Sequence, residues 1–533
     1  MRRWAWIALV VGCAGTSGTG NSEAPTPGTD TPDPIEPTPP TEDTPPTDDT
    51  PPMDTANEVE VEWSIDGLAL STYDLIFEPT RRFLGDTSLD VVLTNRSGRT
   101  LAFDVAEQPG WMVVSAPKGV VESDASVAIT LTVDNTAMEG ELTGSLDVVL
   151  DGVHHEVFLC EGVMTPYIEV VPTPNATIDA AVETVWNEEQ WVGGVVGVVH
   201  GQDVTYLEGR GYADLANLTP VDPYLHRFRW ASMAKGFGGI VASQLELEGQ
   251  LSLTDSVTTH VPAYEVPEQY VTFNLTEGWI YEDIPAGQRD ITLRQLLAHN
   301  SCIQHYDDDS FGKVDPEPPG AALEDPTINT GMAWALDYWT DAPLRCIPGT
   351  AYNYSSFGYN LAGVALENAT GQDYESLVLE RIGEVVGTES LRADRAYAPV
   401  ADRTMGYRKL DSGAIQQETE IDVSWKLAGG GFHGTGVDFA RYCGGVMGEV
   451  LLTTAEKEQS IWDVQSPNAT VALGFVMTDG GNLVSHSGRQ QSAFGKFLID
   501  RTTDTCVFVL LNSQWGSSSD LDALLEGVHA VLP

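Results

Sequence analysis

The sequence has few basic residues. Lysine and arginine together number 27 against 78 acidic residues, which gives the 533-residue chain a formal net charge of −51. A protein that binds a nucleic-acid duplex or RNA needs a basic patch or stripe, and the sequence contains none. We therefore exclude nucleic acid as a partner. The acidity favours solubility and does not identify a substrate.

Long apolar runs are missing after the N-terminus. Residues 4–11 are apolar, follow Met1-Arg-Arg and are too short to span a bilayer, as in a secretory signal. Val10-Val-Gly-Cys13 resembles a bacterial lipoprotein processing site over residues 1–13, with Cys13 as the lipidated residue; an ordinary secretory signal is the alternative. We expect an exported protein that is lipid-anchored to the bacterial outer membrane, or otherwise periplasmic or secreted.

Cysteine is scarce, with six in the chain, so lipidation of one leaves an odd number. Export permits disulfides. Cys302 and Cys346 flank the segment that leads to Tyr354, and they are the first candidate pair. Cys443 and Cys506 are a second candidate pair, which could equally be two buried thiols without a bond. Cys160 then remains a free thiol.

Residues 14–57 form a linker by composition. They consist mainly of Pro, Thr, Asp, Gly and Ser, which cannot bury enough apolar surface to fold. At about 3.1 Å per residue in polyproline II, this stretch could hold a domain on the order of 100 Å from its anchor.

Residues 58–165 have the pattern of an all-β domain. Val127-Ala-Ile-Thr-Leu-Thr-Val133 alternates as a half-buried strand does, and Asp151-Gly152 between two apolar runs predicts a hairpin. The segment resembles an immunoglobulin-like sandwich appended to secreted bacterial enzymes. Trp63 and Trp111 are interpreted as core residues, with binding of a glycan as the alternative.

Ser232-Met-Ala-Lys235 is the most informative motif. On a helix, residues three apart lie on one face, so the Lys235 amine can take a proton from the Ser232 hydroxyl. The same spacing occurs at Ser115-Ala-Pro-Lys118 and Ser310-Phe-Gly-Lys313, but proline and glycine make both segments loops. After Ser232, apolar residues recur at helical spacing up to Gly249.

Two later motifs provide partners for the serine. The run from Pro348 to Gly363 contains Tyr354-Ser-Ser356 directly before a second helix, and His486-Ser-Gly488 precedes two apolar strands. With these motifs in this order, residues 170–533 closely resemble the penicillin-binding-protein-like serine hydrolases, which include class C β-lactamases, D-alanyl-D-alanine carboxypeptidases and esterases.

The resemblance implies a fold and a set of roles. The fold is an α+β serine β-lactamase-like domain, with an antiparallel sheet flanked by helices plus a helical subdomain, here preceded by the sandwich. Ser232 is then the nucleophile and Lys235 its base. Tyr354 exchanges a proton between nucleophile and leaving group, and His486 faces Tyr354 and tunes it. Core packing is the alternative interpretation for the tyrosine and the histidine.

The same resemblance assigns the substrate-binding side. Gly488 lets substrate lie close to its strand, and the main-chain N–H groups of Ser232 and Arg489 form an oxyanion hole. Ser356 stands where the family motif has asparagine. A hydroxyl reaches less far than an amide, so efficient β-lactam recognition is in doubt.

His299, His305 and Asp307-Asp-Asp309 suggest a metal site at first sight. However, the aspartates lack the spacing of a calcium loop, and Leu296-Leu-Ala-His-Asn-Ser301 resembles a structural turn of the family. We interpret the segment as that turn followed by a solvated loop. No metal or other cofactor is expected.

Two functional hypotheses remain. The first is an exported serine hydrolase that acts through an acyl-enzyme on an ester, a D-amino-acid peptide or a β-lactam; His486 and Ser356 favour the ester or peptide. The second is a catalytically inactive tethered protein that binds a cell-wall component. Retention of all four catalytic residue types favours the first.

Overall fold

The computed structural model describes residues 59–532 except 64–73, 78–79, 84–86, 96–97, 138–139, 153, 275, 306–330, 338, 396–397, 399 and 466–469. The N-terminal signal, Cys13 and the linker predicted over 14–57 lie outside the described residues. No helix within the described part has both the length and the apolar character needed to cross a membrane.

The first described region, up to Thr165, contains only strands and turns. Its strands are β1 (Val59–Trp63), β2 (Asp74–Ile76), β3 (Thr80–Arg81), β4 (Ser88–Asn95), β5 (Leu101–Glu107), β6 (Met112–Val114), β7 (Lys118–Val121), β8 (Ala125–Val133), β9 (Gly140–Leu150) and β10 (His154–Thr165). They form two sheets, with the order β1-β4-β8-β6 in one and β2-β10-β9-β5-β7 in the other, where β3 also pairs with β10. The all-β pattern is therefore present, and the narrower immunoglobulin-like assignment stays a prediction.

Local sequence explains the main features of this region. In β8 the alternating residues Ile129, Leu131 and Val133 are buried, as the period-two pattern requires. Asp151 and Gly152 both have positive φ, 51° and 71°, which is the conformation of a tight two-residue hairpin turn. The indole of Trp111 contacts Phe77 and packs against the core.

The larger region combines strands and helices. Its strands are β11 (Glu169–Val170), β12 (Gly193–His200), β13 (Asp203–Asp214), β14 (Thr219–Pro220), β15 (Arg227–Arg229), β16 (Gln269–Asn274), β17 (Gly278–Asp283), β18 (Arg392–Ala393), β19 (Tyr407–Lys409), β20 (Ile415–Gln417), β21 (Phe432–Thr435), β22 (Val476–Thr478), β23 (Leu483–Gln490), β24 (Ala493–Asp500) and β25 (Thr505–Leu511). Its helices are α1 (Ala176–Glu189), α2 (Lys235–Leu247), α3 (Val257–His260), α4 (Leu293–Leu297), α5 (Met332–Leu336), α6 (Ser356–Thr370), α7 (Tyr374–Val378), α8 (Glu384–Val386), α9 (Leu427–Gly430), α10 (Gly436–Met447), α11 (Thr454–Gln459) and α12 (Ser518–His529).

One sheet organises this region, in the order β11-β13-β12-β25-β24-β23-β22 with β14 beside β13. All pairings from β13 to β22 along this order are antiparallel. The strand β25 is buried along its whole length, because helices cover both faces. Val507 and Val509 pack towards α1 and α12, whereas Phe508 and Leu510 pack into the larger core with α2 and α10.

Three predictions about cysteines are answered here. Cys302 and Cys346 form a disulfide with their Cα atoms 5.2 Å apart, as expected. Cys443 on α10 and Cys506 on β25 are buried free thiols whose sulfur atoms lie 2.6 Å apart. Cys160 on β10 is a buried free thiol, and burial raises its pKa to about 11.

Candidate active site

Ser232 lies between the sheet and the helices. After β15, the chain turns through Ala231, whose φ of 48° is in the left-handed region, into a 3-10 turn over Ala231–Ala234 that leads directly into α2. The serine therefore precedes the α-helix by one 3-10 turn, where the sequence predicted the helix N-terminus. Left-handed backbone at a residue other than glycine costs about 1–3 kcal/mol and is frequent at functional sites.

Glycines make room for this turn. A Cβ atom on Gly430 would lie 2.8 Å from the carbonyl carbon of Ala231, and one on Gly488 would lie 2.6 Å from the Trp230 carbonyl oxygen and 3.1 Å from the Ser232 nitrogen. Any side chain at either position would collide with main-chain atoms that cannot move aside. Gly488 thus lets β23 lie directly against the serine main chain, and its predicted role beside the substrate stays a prediction.

Lys235 begins α2 and is completely buried. Its Nζ lies 3.0 Å from Ser232 Oγ and 3.0 Å from Ser356 Oγ, and it also donates to the Gly429 carbonyl oxygen. Burying an ammonium group is costly unless its hydrogen bonds are satisfied. Three acceptors match the three N–H donors of the lysine and fix Nζ beside the serine hydroxyl.

Tyr354 contacts the same oxygen. Its hydroxyl donates to Ser232 Oγ at 2.9 Å, and Lys235 Nζ lies 5.0 Å from the centre of its ring. Tyr354 is placed by the start of α6, where the Ser355 hydroxyl caps the helix by accepting the Gly358 N–H at 2.9 Å. Two helix starts therefore bring the serine, the lysine and the tyrosine together, as the sequence predicted.

Ser356 contacts the lysine within this cluster. It is fully buried on the first turn of α6, and its hydroxyl accepts from Lys235 Nζ. In this position the shorter hydroxyl contacts the Lys235 amine, which is consistent with the doubt about an amide-like substrate contact.

His486 on β23 also borders the tyrosine. Its ring centre lies 6.5 Å from that of Tyr354, and its Nδ1 lies 2.6 Å from the Ser487 carbonyl oxygen. A carbonyl oxygen accepts only, so Nδ1 carries the proton and Nε2 is the unprotonated nitrogen. Burial, followed by the positive charge of Lys235, lowers the pKa of His486 to about 4, so the imidazole is neutral near pH 7.

Arg489 follows on the same strand with its side chain exposed. Its guanidinium donates to the Gly516 carbonyl oxygen and lies 4.1 Å from the centre of the Phe494 ring. These contacts tie the side chain to the sheet, so the part of Arg489 predicted for the oxyanion hole is its main-chain N–H alone.

Two further residues of the cluster were not predicted from the sequence. His299 is buried, and its ring centre lies 4.3 Å from that of Tyr354; His305 is half-buried and meets the same ring edge-on at 5.1 Å. The expectation of a solvated loop is therefore wrong for His305, whereas His299 lies in the segment that was interpreted as a structural turn. The signal in the sequence is the presence of two histidines on either side of Cys302, a pattern that first suggests metal binding.

The described residues show no group of three or more His, Cys, Asp or Glu side chains arranged to hold a metal ion. Asp307, Asp308 and Asp309 lie outside the described residues.

The geometry as a whole is that of an activated serine. A hydroxyl held by an amine and a phenol can lose its proton as it attacks a carbonyl carbon. The β-lactamase family model matches residues 178–530. The chain belongs to the β-lactamase family. The match begins in α1 and ends just after α12, so it covers every strand of the large sheet except β11 and every residue of the cluster.

Individual relatives agree with this assignment. Protein flp of Staphylococcus aureus (strain MW2) is 27% identical over 350 residues, which are 63% of this chain and 62% of that protein. The chain thus spans less than two thirds of that relative's length.

Two solved structures have the same fold. The octameric penicillin-binding protein homologue from Pyrococcus abyssi matches with a TM-score of 0.52 and 21% identity, over 66% of this chain and 77% of that chain. The D-amino acid amidase from Ochrobactrum anthropi SV3 matches with a TM-score of 0.52 and 19% identity, over 67% of this chain and 98% of that chain. At these identities the likeness concerns the fold alone.

Proposed function

We propose that this protein is an exported serine hydrolase that cleaves an ester or a D-amino-acid peptide or amide through an acyl-enzyme on Ser232. The observation that carries the proposal is the pair of contacts to one oxygen: Lys235 Nζ at 3.0 Å and Tyr354 OH at 2.9 Å from Ser232 Oγ. A serine that only capped a helix would need neither a buried amine nor a phenol.

Acylation begins with attack of Ser232 Oγ on the substrate carbonyl carbon. The serine proton passes to the pair of groups that contact Ser232 Oγ, Lys235 and Tyr354, which together act as the general base. The carbonyl oxygen becomes an oxyanion and accepts from the main-chain N–H groups of Ser232 and Arg489. Tyr354 then protonates the leaving alcohol or amine as the carbon–oxygen or carbon–nitrogen bond breaks.

Deacylation repeats the sequence with water. A water molecule loses a proton to Tyr354 while its oxygen attacks the acyl carbon, and Ser232 Oγ leaves and regains a proton. The ring centre of the neutral His486 lies 6.5 Å from that of Tyr354. The imidazole adds no positive charge near pH 7, so Lys235 is the cation that acts on the phenol.

The proposed substrate class is supported by the polar groups around the serine and by what related proteins are named for. The D-amino acid amidase is named for D-amino acid amides, and another protein of the same fold, EstCE1, is described as a hydrolase with promiscuous acyltransferase activity. Ser356 contacts Lys235 where an amide would face substrate, which favours esters and D-amino-acid amides over β-lactams.

A fluorophosphonate probe tests the proposal directly. We expect it to label the wild type and to fail on Ser232→Ala. Ser243→Ala is the matched control, because Ser243 lies on the same helix, α2, and donates to the Gly239 carbonyl oxygen at 2.7 Å. Labelling that persists in Ser232→Ala would refute the assignment, and absence of labelling in the wild type would favour the inactive binding protein.

We also propose that the exported chain is anchored to the outer membrane by a lipid on Cys13, with residues 14–57 as the tether. The support is the small-residue sequence before Cys13 and the Pro/Thr-rich composition after it. A fatty-acid analogue should tag the wild type, and Cys13→Ser should move the protein to the soluble fraction. Equal membrane association of the two forms would contradict the anchor.

A further inference from the structure

The segment that carries His299 and His305 is bonded to the segment that carries Tyr354. The Cys302–Cys346 disulfide joins the two. Main-chain hydrogen bonds run from Asn353 N–H to the His299 carbonyl oxygen at 2.7 Å and from Arg345 N–H to the Cys302 carbonyl oxygen at 2.7 Å. The Ser355 hydroxyl, which caps α6, also donates to the Gln304 carbonyl oxygen at 2.7 Å. The two segments therefore form one rigid unit beside the nucleophile.

Each histidine accepts a hydrogen bond from the turn that follows Tyr354. Nδ1 of His299 accepts the N–H of Ser355 at 3.0 Å, and Nδ1 of His305 accepts the N–H of Ser356 at 3.2 Å. A nitrogen that accepts cannot also carry a proton, so both neutral rings have their proton on Nε2. In this form the two imidazoles fix two consecutive peptide groups next to the phenol.

The same rings form two walls around Tyr354. The ring of His299 is tilted by 33° against that of Tyr354 with the centres 4.3 Å apart, and the ring of His305 meets it at 86° with the centres 5.1 Å apart. Offset and edge-to-face arrangements are the favourable ones for such rings. The phenol oxygen therefore has little freedom to move away from Ser232 Oγ.

The main chain is bent to produce this arrangement. His299 has a φ of 57° and Cys302 a φ of 61°, so two residues of one short segment are left-handed. Such conformations persist only where surrounding contacts enforce them. Nε2 of His299 is buried and has no hydrogen-bond partner among the described residues. A histidine needed only for packing would not require a strained backbone and an unsatisfied donor.

We propose that His299 and His305 are positioning residues for hydrolysis, which hold Tyr354 at Ser232 by accepting the main-chain N–H groups of Ser355 and Ser356. This inference rests on the proposed function. Neither histidine transfers a proton in the reaction. Their Nδ1 atoms act by accepting the two main-chain N–H groups.

Paired substitutions separate the acceptor from the ring. His305→Phe keeps an aromatic ring and removes the acceptor, whereas His305→Asn keeps an acceptor oxygen near the position of Nδ1 and removes the ring. His299→Phe and His299→Asn form the second pair, and asparagine also tolerates the left-handed backbone there. Because small displacements of a catalytic group cost up to about 10²-fold, we expect each Phe variant to lower kcat for an aryl ester roughly 10- to 100-fold with KM little changed.

Only the asparagine variants should retain a kcat close to that of the wild type. Each Asn variant should return kcat to within about threefold of the wild type, and the rate of fluorophosphonate labelling at Ser232 should follow kcat. Equal kcat in the Phe and Asn variants of both positions, with thermal unfolding showing folded protein, would overturn the inference. If His299→Phe does not fold, the half-buried position 305, where φ is not positive, decides alone.

The wild-type measurement separates this inference from the function on which it rests. A wild type that neither hydrolyses esters or amides nor reacts with the probe overturns the proposed function, and the positioning role with it. An active wild type whose Phe variants keep full kcat overturns the positioning role alone.

Discussion

The stability of the folded chain should fall steeply between pH 7 and pH 5, because buried histidines stay neutral in it. Burial lowers the pKa of His433 to about 3 and, together with the Lys235 charge, that of His486 to about 4. Burial also holds the pKa of His299 well below its ordinary value. In the unfolded chain a histidine titrates near about pH 6.5.

The direction follows from the proton uptake of the two states. As the pH falls through about 6.5, these histidines bind protons in the unfolded chain but not in the folded chain, so the free energy of unfolding decreases. At about 1.4 kcal/mol per pH unit and per proton, His433 and His486 each lower the free energy of unfolding by roughly 2 kcal/mol at pH 5. Their sum, on the order of 4 kcal/mol, is a large part of the free energy of unfolding of about 5–15 kcal/mol that is typical of native proteins. His299 acts in the same direction. The loss from His486 stops growing below about pH 4, and that from His433 below about pH 3.

Urea unfolding at pH 7 and pH 5, followed by tryptophan fluorescence, measures this difference. His433→Leu should make the loss between the two pH values smaller by roughly 2 kcal/mol. Phe432→Leu is the matched control, because it lies next to His433 on β21 and is buried but removes no titratable group, so its loss should equal that of the wild type. An equal loss in His433→Leu and the wild type would refute the reasoning.

Three further predictions concern the catalytic cluster. Tyr354→Phe keeps the ring but removes the hydroxyl 2.9 Å from Ser232 Oγ, and turnover of a short-chain aryl ester should fall roughly 10²–10⁴-fold; unchanged turnover in folded protein would mean that the base lies elsewhere. His486→Lys replaces a neutral imidazole with an ammonium group, and it should shift the acid limb of the pH–rate profile while retaining some ester hydrolysis; a profile that superimposes on the wild type would contradict the tuning role. Gly488→Ala places a Cβ 2.6 Å from the Trp230 carbonyl oxygen, which should push β23 away from Ser232. We therefore expect kcat to fall roughly 10- to 100-fold, and a kcat equal to that of the wild type would contradict this prediction.

The nucleophile and its partners could be predicted because each is marked by neighbouring residues. Ser232 and Lys235 are linked by helical spacing, and Tyr354 directly precedes a run with helical periodicity. The hairpin at Asp151-Gly152 and the apolar strands β24 and β25 are likewise local patterns. Such features need no knowledge of the tertiary fold.

The setting of Tyr354 could not be predicted in the same way. His299 and Ser355 are 56 positions apart, and His305 and Ser356 are 51 apart, so no periodicity connects them. The left-handed φ of His299 occurs beside the disulfide and the hydrogen bonds to the second segment, whereas local propensity favours glycine or asparagine in that conformation. The contact between Gly488 and the Ser232 main chain could not be predicted either, because β23 packs against a turn that lies more than 250 residues earlier in the chain.

The order of strands in the large sheet determines when the proposed active site can be completed during synthesis. The early strand β12 pairs with β25, the last strand of the sheet, and β25 connects through β24 to β23, which carries His486 and Gly488. A growing chain contains Ser232, Lys235 and Tyr354 long before residues 493–511 exist to join the two halves. Contacts between such distant parts of a chain form late in folding. The cluster around Ser232 is therefore completed only once the final strands of the sheet are present.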